Sequence, residues 1–466
     1  MKQADCYEPK AKPRFWKRFR LPFLIAMPVI GILLVAIPLD LRLWTGSFGE
    51  KGLNPLYTYR FQRSSPGTIM LALEREIAFY QKRIGQDSED YINRAFLATA
   101  YLKMARASGE TSWYLLAEQT AQESLAKFSV HNDGAIMALA RVATARHDFA
   151  EAIRLAKQLN GKDKALPVMV TANLAIGNVA EANRAADALV AQNPDLAALT
   201  LRALVRLARG KDQEAIQDFQ HALAAEEPEE TGSSIWARTL LGRLYYKRGQ
   251  LKLARELYQE ALRVLPQYPP ALLNMAELEI RLGDYKAAES LYSQFFQLSK
   301  RSPTVYDHIV LRGMARLKDL QGDQSGARQW RDRAEVRLRQ DLTSFGHRRE
   351  LARLLLERGG VKDVAEALSL MQAEVHNRRD AETLDTLAWA LSLSGHWREA
   401  QQAMHEALRW GIRDPAMFDR AGTIEQALGN RSQAIAFFKS AKETDPSFND
   451  QAQRALGLGV GLLGLN

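Results

Sequence analysis

A self-similarity with a period near 34 constrains this chain more than any other feature. A glycine followed five residues later by an alanine recurs as Gly177/Ala182, Gly210/Ala215, Gly249/Ala254, Gly283/Ala288, Gly322/Ala327, Gly395/Ala400 and Gly429/Ala434. The intervals between successive glycines are 33, 39, 34, 39, 73 and 34, and the interval of 73 leaves room for one degenerate unit around 345–380. Apolar residues recur at three and four positions on either side of each glycine, which is the spacing of two short amphipathic helices joined by a turn. The glycine ends the first helix in a left-handed conformation that it adopts at little cost. The alanine is small because two helices cross there, and the aromatic four residues on (Phe219, Tyr258, Tyr292 or Phe438) fills the adjoining space. Pro194, Pro266 and Pro446, each twelve residues after its alanine, end the second helix.

Composition agrees with a helical chain. With 47% hydrophobic and 25% charged residues the chain is neither disordered nor collagen-like, and 16 Pro and 29 Gly are too few to punctuate many short strands. The single cysteine, Cys6, excludes internal disulfides, CxxC redox centres and cysteine-rich zinc sites.

Period, turn glycine, small residue, aromatic and terminal proline together resemble the tetratricopeptide repeat family, most strongly over Ile235 to Pro303 and Ala381 to Phe448. Residues 133–162 match with His147 in place of the turn glycine, residues 91–130 match with a longer turn at Ala107 to Ser112, and Gly346 to Arg379 is the poorest unit, with Gly359-Gly360 and Ala365 or Ala367 as landmarks. The resemblance implies an all-α solenoid of roughly ten helix-turn-helix repeats, wound as a right-handed superhelix with first helices on its concave face. It also implies protein or peptide partners in the groove.

The amino end is different. Leu21 to Leu39 are 19 residues without a charged side chain, about 28 Å long as a helix. Twelve of them are Leu, Ile, Val or Phe, which favours insertion by about 4 to 7 kcal/mol. Residues 1–20 carry seven Lys or Arg against Asp5 and Glu8, whereas Arg42 and Lys51 beyond the run are offset by Asp40 and Glu50. That asymmetry predicts a cytoplasmic amino end and an exported body. A cleaved signal peptide is the competing reading, but Leu34-Val35-Ala36 is a poor cleavage site. The expected organisation is a basic tail (1–20), a single transmembrane helix (21–39), a linker (40–66), the solenoid (67–448) and a cap with a Gly-rich apolar tail (449–466). That tail, broken by Gly457, Gly459, Gly461 and Gly464, cannot span a bilayer; it packs on the last repeat, lies loose, or touches a partner or the membrane.

No catalytic constellation is found. The eight histidines include no HExxH pair, and there is no GxxxxGK(S/T) phosphate loop, no GxGxxG turn after a strand and no GxSxG elbow. No cofactor, metal or small-molecule substrate is expected, and the chain reads as non-enzymatic. The acidic run at Glu226, Glu227, Glu229 and Glu230 reads as a solvated loop or else a docking site for a basic partner, and Lys300 to Arg358, with 14 Lys or Arg against 8 Asp or Glu, as a solvated basic face or else a surface for anionic lipid or an acidic polymer. Nucleic acid is an unlikely ligand, because no aromatic residues interleave with that charge. Register places Trp236, Arg243, Tyr246, Lys247, Glu277, Arg281, Asp385 and Trp389 on the groove side of first helices. By resemblance to repeats that grip a peptide carboxylate, Arg243, Lys247 and Arg281 are the candidate clamp. The expected function is a membrane-anchored scaffold that recruits protein partners to an envelope complex. The alternative is an accessory subunit that contacts an envelope polysaccharide or lipid through the basic segment.

Overall fold

The computed structural model describes residues 54–61, 68–299, 302–343 and 345–455, with Gly457, Gly459 and Gly461 beyond them. The expected basic tail and transmembrane helix lie outside the described residues. Among the described residues, no helix is long and apolar enough to cross a membrane.

A leading helix, α1 (Thr68–Gln86), is followed by ten antiparallel helix pairs. The first five are α2 (Tyr91–Ser108) with α3 (Thr111–Lys127), α4 (Asp133–Ala145) with α5 (Phe149–Ala156), α6 (Lys162–Ala175) with α7 (Val179–Gln192), α8 (Leu196–Ala208) with α9 (Asp212–Ala224), and α10 (Thr231–Lys247) with α11 (Leu251–Val264). The second five are α12 (Pro269–Leu282) with α13 (Tyr285–Ser299), α14 (Asp307–Leu320) with α15 (Gln324–Gln340), α16 (His347–Arg358) with α17 (Val361–Glu374), α18 (Ala381–Leu393) with α19 (Trp397–Leu408), and α20 (Pro415–Ala427) with α21 (Arg431–Thr444). A short α22 (Asp450–Ala455) closes the series.

All seven turn glycines have φ between +68° and +83°, and His147, at φ +64°, takes the same conformation where the glycine is missing. The paired alanines are almost wholly buried. The aromatics of the second helices close the pairs: a Cβ on Gly242 would stand 2.6 Å from Tyr258, and one on Gly422 2.6 Å from Phe438. Three local expectations need correction. The α2 to α3 turn is not long, because Gly109 at φ +78° lets it close with only Glu110 beside it. In the degenerate unit Val364 stands five residues after Gly359, and Ala367 is buried while Ala365 faces solvent. Glu226 is not part of a solvated loop; it is buried and accepts from Arg238 (2.8 Å) and Ser234 (2.7 Å), since only there does the Arg238 guanidinium find a counter-charge.

First helices touch first helices along the row, α2 on α4, α6 on α8, α10 on α12 and α16 on α18, so they form the inner wall. The row then curls back on itself. The Thr111 amide donates to Pro303 O (3.0 Å), the Val305 amide to Gly109 O (2.9 Å) and the Arg379 amide to Ala175 O (2.8 Å), and Gly210 packs against Gly411. These partners belong to units about six periods apart along the chain. The turns of the earlier pairs therefore sit on the loops between later pairs. On the opposite edge, residues 54–61 are packed as a strap: Arg238 donates to Tyr57 O (2.7 Å), the Tyr59 amide to Glu260 (2.7 Å), and Arg60 to Ala224 O (2.7 Å).

Candidate functional site

The inner wall opens into a cavity of about 510 Å³ bounded by α10, α14, α16, α18 and α20. Its side chains reach it because each sits on the inward stripe of a first helix, whose opposite stripe packs on the second helix of the pair. Four of the residues expected in the groove line it: Arg243, Lys247, Asp385 and Trp389. The other four do not. Trp236 packs half-buried against the core of the third to sixth pairs, Tyr246 and Glu277 are fully buried behind the wall, and Arg281 is buried where it meets Asp445 and Ser447.

Each of the three candidate clamp cations has an acidic partner within the chain. Arg243 is paired with Glu277 on the next first helix. Lys247 reaches Asp414 (2.9 Å), and Arg281 reaches Asp445 (2.6 Å) and Ser447 (2.8 Å). The Tyr246 ring lies between two of them, 4.9 Å from the Arg243 guanidinium and 5.1 Å from that of Arg281.

Sequence register did not single out the residues that complete the site. Arg420 donates to Asp385 (2.8 Å) while its guanidinium lies 4.6 Å from the centre of the Trp389 ring, and Trp397 and Met417 extend the apolar side. Arg420 is 35 residues after Asp385, one period, so the repeat itself places both on one face. On the opposite wall Arg312 bonds both Glu350 and Glu357 (2.7 Å each), and Arg316 lies 3.5 Å from Glu357.

Five basic and six acidic side chains line the cavity, so its net charge is close to zero. Burial works against ionisation of Asp414 and Glu357, but Lys247 holds the first below its ordinary value, and Arg312 with Arg316 holds the second. Burial pushes the Asp419 carboxyl up, and Gln453 donates to it (2.7 Å). The basic segment 300–358 is likewise not a uniform solvated face. Arg312 and Arg349 are buried, and Arg337, Arg339 and Arg358 are paired with Asp307, with Glu335 and Glu366, and with Asp363. Among the described residues, no group of three or more His, Cys, Asp or Glu could hold a metal ion.

Tetratricopeptide-repeat families match residues 195–267 and 247–295. Two known relatives, each named uncharacterized protein ycf37, are from Pyropia yezoensis (37% identical over 65 residues, 14% of this chain and 36% of the relative) and Porphyra purpurea (31% over 83 residues, 18% and 48%). The chain thus spans between a third and a half of the length of these relatives. Among solved structures, an IFIT1 monomeric mutant with Gppp-AAAA is 14% identical, with 80% of this chain and 76% of that one covered and a TM-score of 0.41.

Proposed function

We propose, from the premise that this chain carries tetratricopeptide repeats, that it is a non-enzymatic scaffold whose inner cavity receives an extended segment of a protein partner. One observation carries this reading: in a wall whose charges are otherwise satisfied internally, Trp389 stays half-exposed beside Arg420 and Asp385 and faces a 510 Å³ space. An aromatic plane held flat by a guanidinium gives area for an apolar side chain at little entropic cost. The Arg420 and Asp385 groups offer a donor and an acceptor for a peptide backbone.

The finer proposal places this scaffold at a membrane. Residues 21–39 would anchor it, with the basic end inside and the repeats exported to serve an envelope complex; the apolar run and the charge asymmetry support this. Reporters active only outside, or only inside, fused after the repeats should signal outside; an inside signal would recast the protein as a cytoplasmic adaptor.

For the groove, a photo-crosslinking residue in place of Trp389 should trap discrete protein adducts in intact cells, and Arg420→Glu should remove them. Absence of adducts, or adducts unaffected by Arg420→Glu, would sink the reading. In the same assay format a labelled RNA oligonucleotide should stay unbound at low salt. The polysaccharide or lipid reading draws less support, because the arginines it relies on are spent on internal acids. A salt-sensitive glycan or vesicle-binding signal would restore it.

A further inference from the structure

A solenoid ends in helices whose outer side has no further repeat to pack against, so that side is ordinarily polar. In the last pair the exposed side of α21 follows this rule with Arg431, Ser432, Gln433 and Lys439, and Ile435 is its one exposed large apolar residue. The leading helix α1 does not. Leu71 (41% exposed) and Phe79 (57%) stand out from it, and Ile92 and Phe96 (51% each) stand out from the neighbouring α2. Phe79 meets Tyr80 edge to face, and Tyr80 stacks on Phe96 with ring centres 5.6 Å apart, so the rings of the two helices join into one patch.

Cations share this face. At about 100° per residue, Ala72, Arg75, Lys82 and Arg83 lie within about 60° of Phe79 around α1, and all four are exposed. None of the three cationic side chains forms an ion pair or hydrogen bond with another described residue. Nearby acids do not compete for them. Glu76 is bonded to Lys103 (2.7 Å), and Glu74 lies about 140° from Phe79 around the helix. Asp90, which the Arg83 charge reaches, is spent on the α2 cap, where it accepts from the Asn93 amide (2.9 Å).

Aromatic and aliphatic side chains beside unpaired cations are the composition of a helix face that lies between lipid headgroups and acyl chains. A nucleic acid would share the cations but needs open ring planes for its bases, whereas Leu71 and Ile92 have none and Tyr80 stacks on Phe96. Chain length agrees, since fourteen residues lie between Leu39 and Asn54, at most about 50 Å of chain. Resting on the reading that the repeats sit at a membrane, we infer that this face of α1 and α2 docks on an anionic bilayer surface. Leu71, Phe79, Ile92 and Phe96 enter the acyl boundary, and Arg75, Lys82 and Arg83 meet the headgroups.

The test uses the full chain with Cys6→Ser and one new cysteine carrying an environment-sensitive fluorophore, at Phe79→Cys, Phe96→Cys or, on the basic segment 300–358, Val336→Cys. Each is reconstituted into vesicles of phosphatidylcholine and phosphatidylglycerol, with or without brominated acyl chains. Labels at 79 and 96 should shift to the blue and lose emission to the brominated chains, while that at 336, a position 60% exposed, should do neither. Salt at about 1 M, where the screening length falls to about 3 Å, should restore part of the emission, as should Arg75→Glu combined with Lys82→Glu and Arg83→Glu. Cooperative melting of each variant checks its folding. Unquenched labels at 79 and 96 in vesicles that hold the chain against alkaline carbonate would overturn this inference and leave the anchor standing. Quenching at 79 and 96 in a chain that carbonate strips away would support it and end the anchor reading. A blue shift without quenching would put protein, such as a second copy, on the face and overturn it. Quenching at 336 alone would move the lipid contact to the basic segment, with the same result.

Discussion

At the scale of single residues, the tightest constraint on the repeat is the place where an aromatic ring lies on a glycine. In α10, Gly242 faces Tyr258, and an added methyl would overlap ring carbons of a fully buried side chain. Overpacking of this kind costs about 1 to 3 kcal/mol. Gly242→Ala should lower the urea midpoint without changing the slope, and Tyr258→Leu in the same chain should recover part of the loss, because the two positions share one space. Additive losses would mean that the glycine is required for another reason. The cations around Tyr246 follow similar logic. Arg243 and Arg281 sandwich Tyr246 and are each tied to an acid, so their charges serve the wall before they can serve a ligand.

At the scale of elements, the strap formed by residues 54–61 is held by one buried ion pair. Arg238 and Glu226 have fully buried side chains, and Arg238 spends its third donor on the Tyr57 carbonyl. Removing one partner of a buried pair costs about 3 to 5 kcal/mol, because the other charge is left without compensation. Arg238→Ala should therefore destabilise the fold by about that amount and make the bonds around Tyr57 to Phe61 cleavable by protease. Adding Glu226→Gln should return part of the stability but not the protection, since the Tyr57 carbonyl still lacks its donor. Protection unchanged in Arg238→Ala would show that the ring contacts of Tyr57 and Tyr59 suffice.

At the scale of the whole molecule, the contacts that close the row of pairs contain three buried histidines. His147 belongs to an early turn, and its ring meets Arg378 (3.2 Å) and packs on Phe149, while His308 and His347 of later pairs lie 5.4 Å apart, with Arg349, Glu350 and Tyr306 around them. Burial, then the Arg378 and Arg349 charges, push the His147 imidazole far below its ordinary value. Burial pushes His308 down to about 3 and His347 down as well, against a bond from its Nδ1 to the Asp341 carbonyl (2.7 Å). All three hold a proton less readily in the fold than in the unfolded chain, where they take up protons as the pH falls through about 6.5. The unfolded state then binds more protons, so stability falls with pH from about 6.5 toward about 3, by up to about 1.4 kcal/mol per pH unit for His308. Urea midpoints should drop between about pH 7 and pH 5, and His308→Gln should flatten the drop. A profile flat over this range would show that protonation does not oppose this closure.

Much of this protein is legible in the sequence because the repeat is a local code. A glycine, an alanine five residues on and an aromatic four further suffice to set one helix pair, and the same interactions recur in each period. Even His147 was readable as a turn residue, since it stands where the period requires a left-handed backbone. Half of the groove residues followed from the same register. What the sequence does not contain is the result of adding small rotations from one pair to the next. Only the accumulated curl brings Gly210 to Gly411, Lys247 to Asp414 and Arg281 to Asp445, so that Arg281 is closed into a seam rather than open to the groove. Packing of each pair on its neighbour converts Glu226 and the arginines of the 300–358 segment from apparent surface charge into internal pairs, while the curl places the glycines after α22 at the cavity. Local spacing determines the unit; contacts between early and late pairs determine what the assembled units leave open.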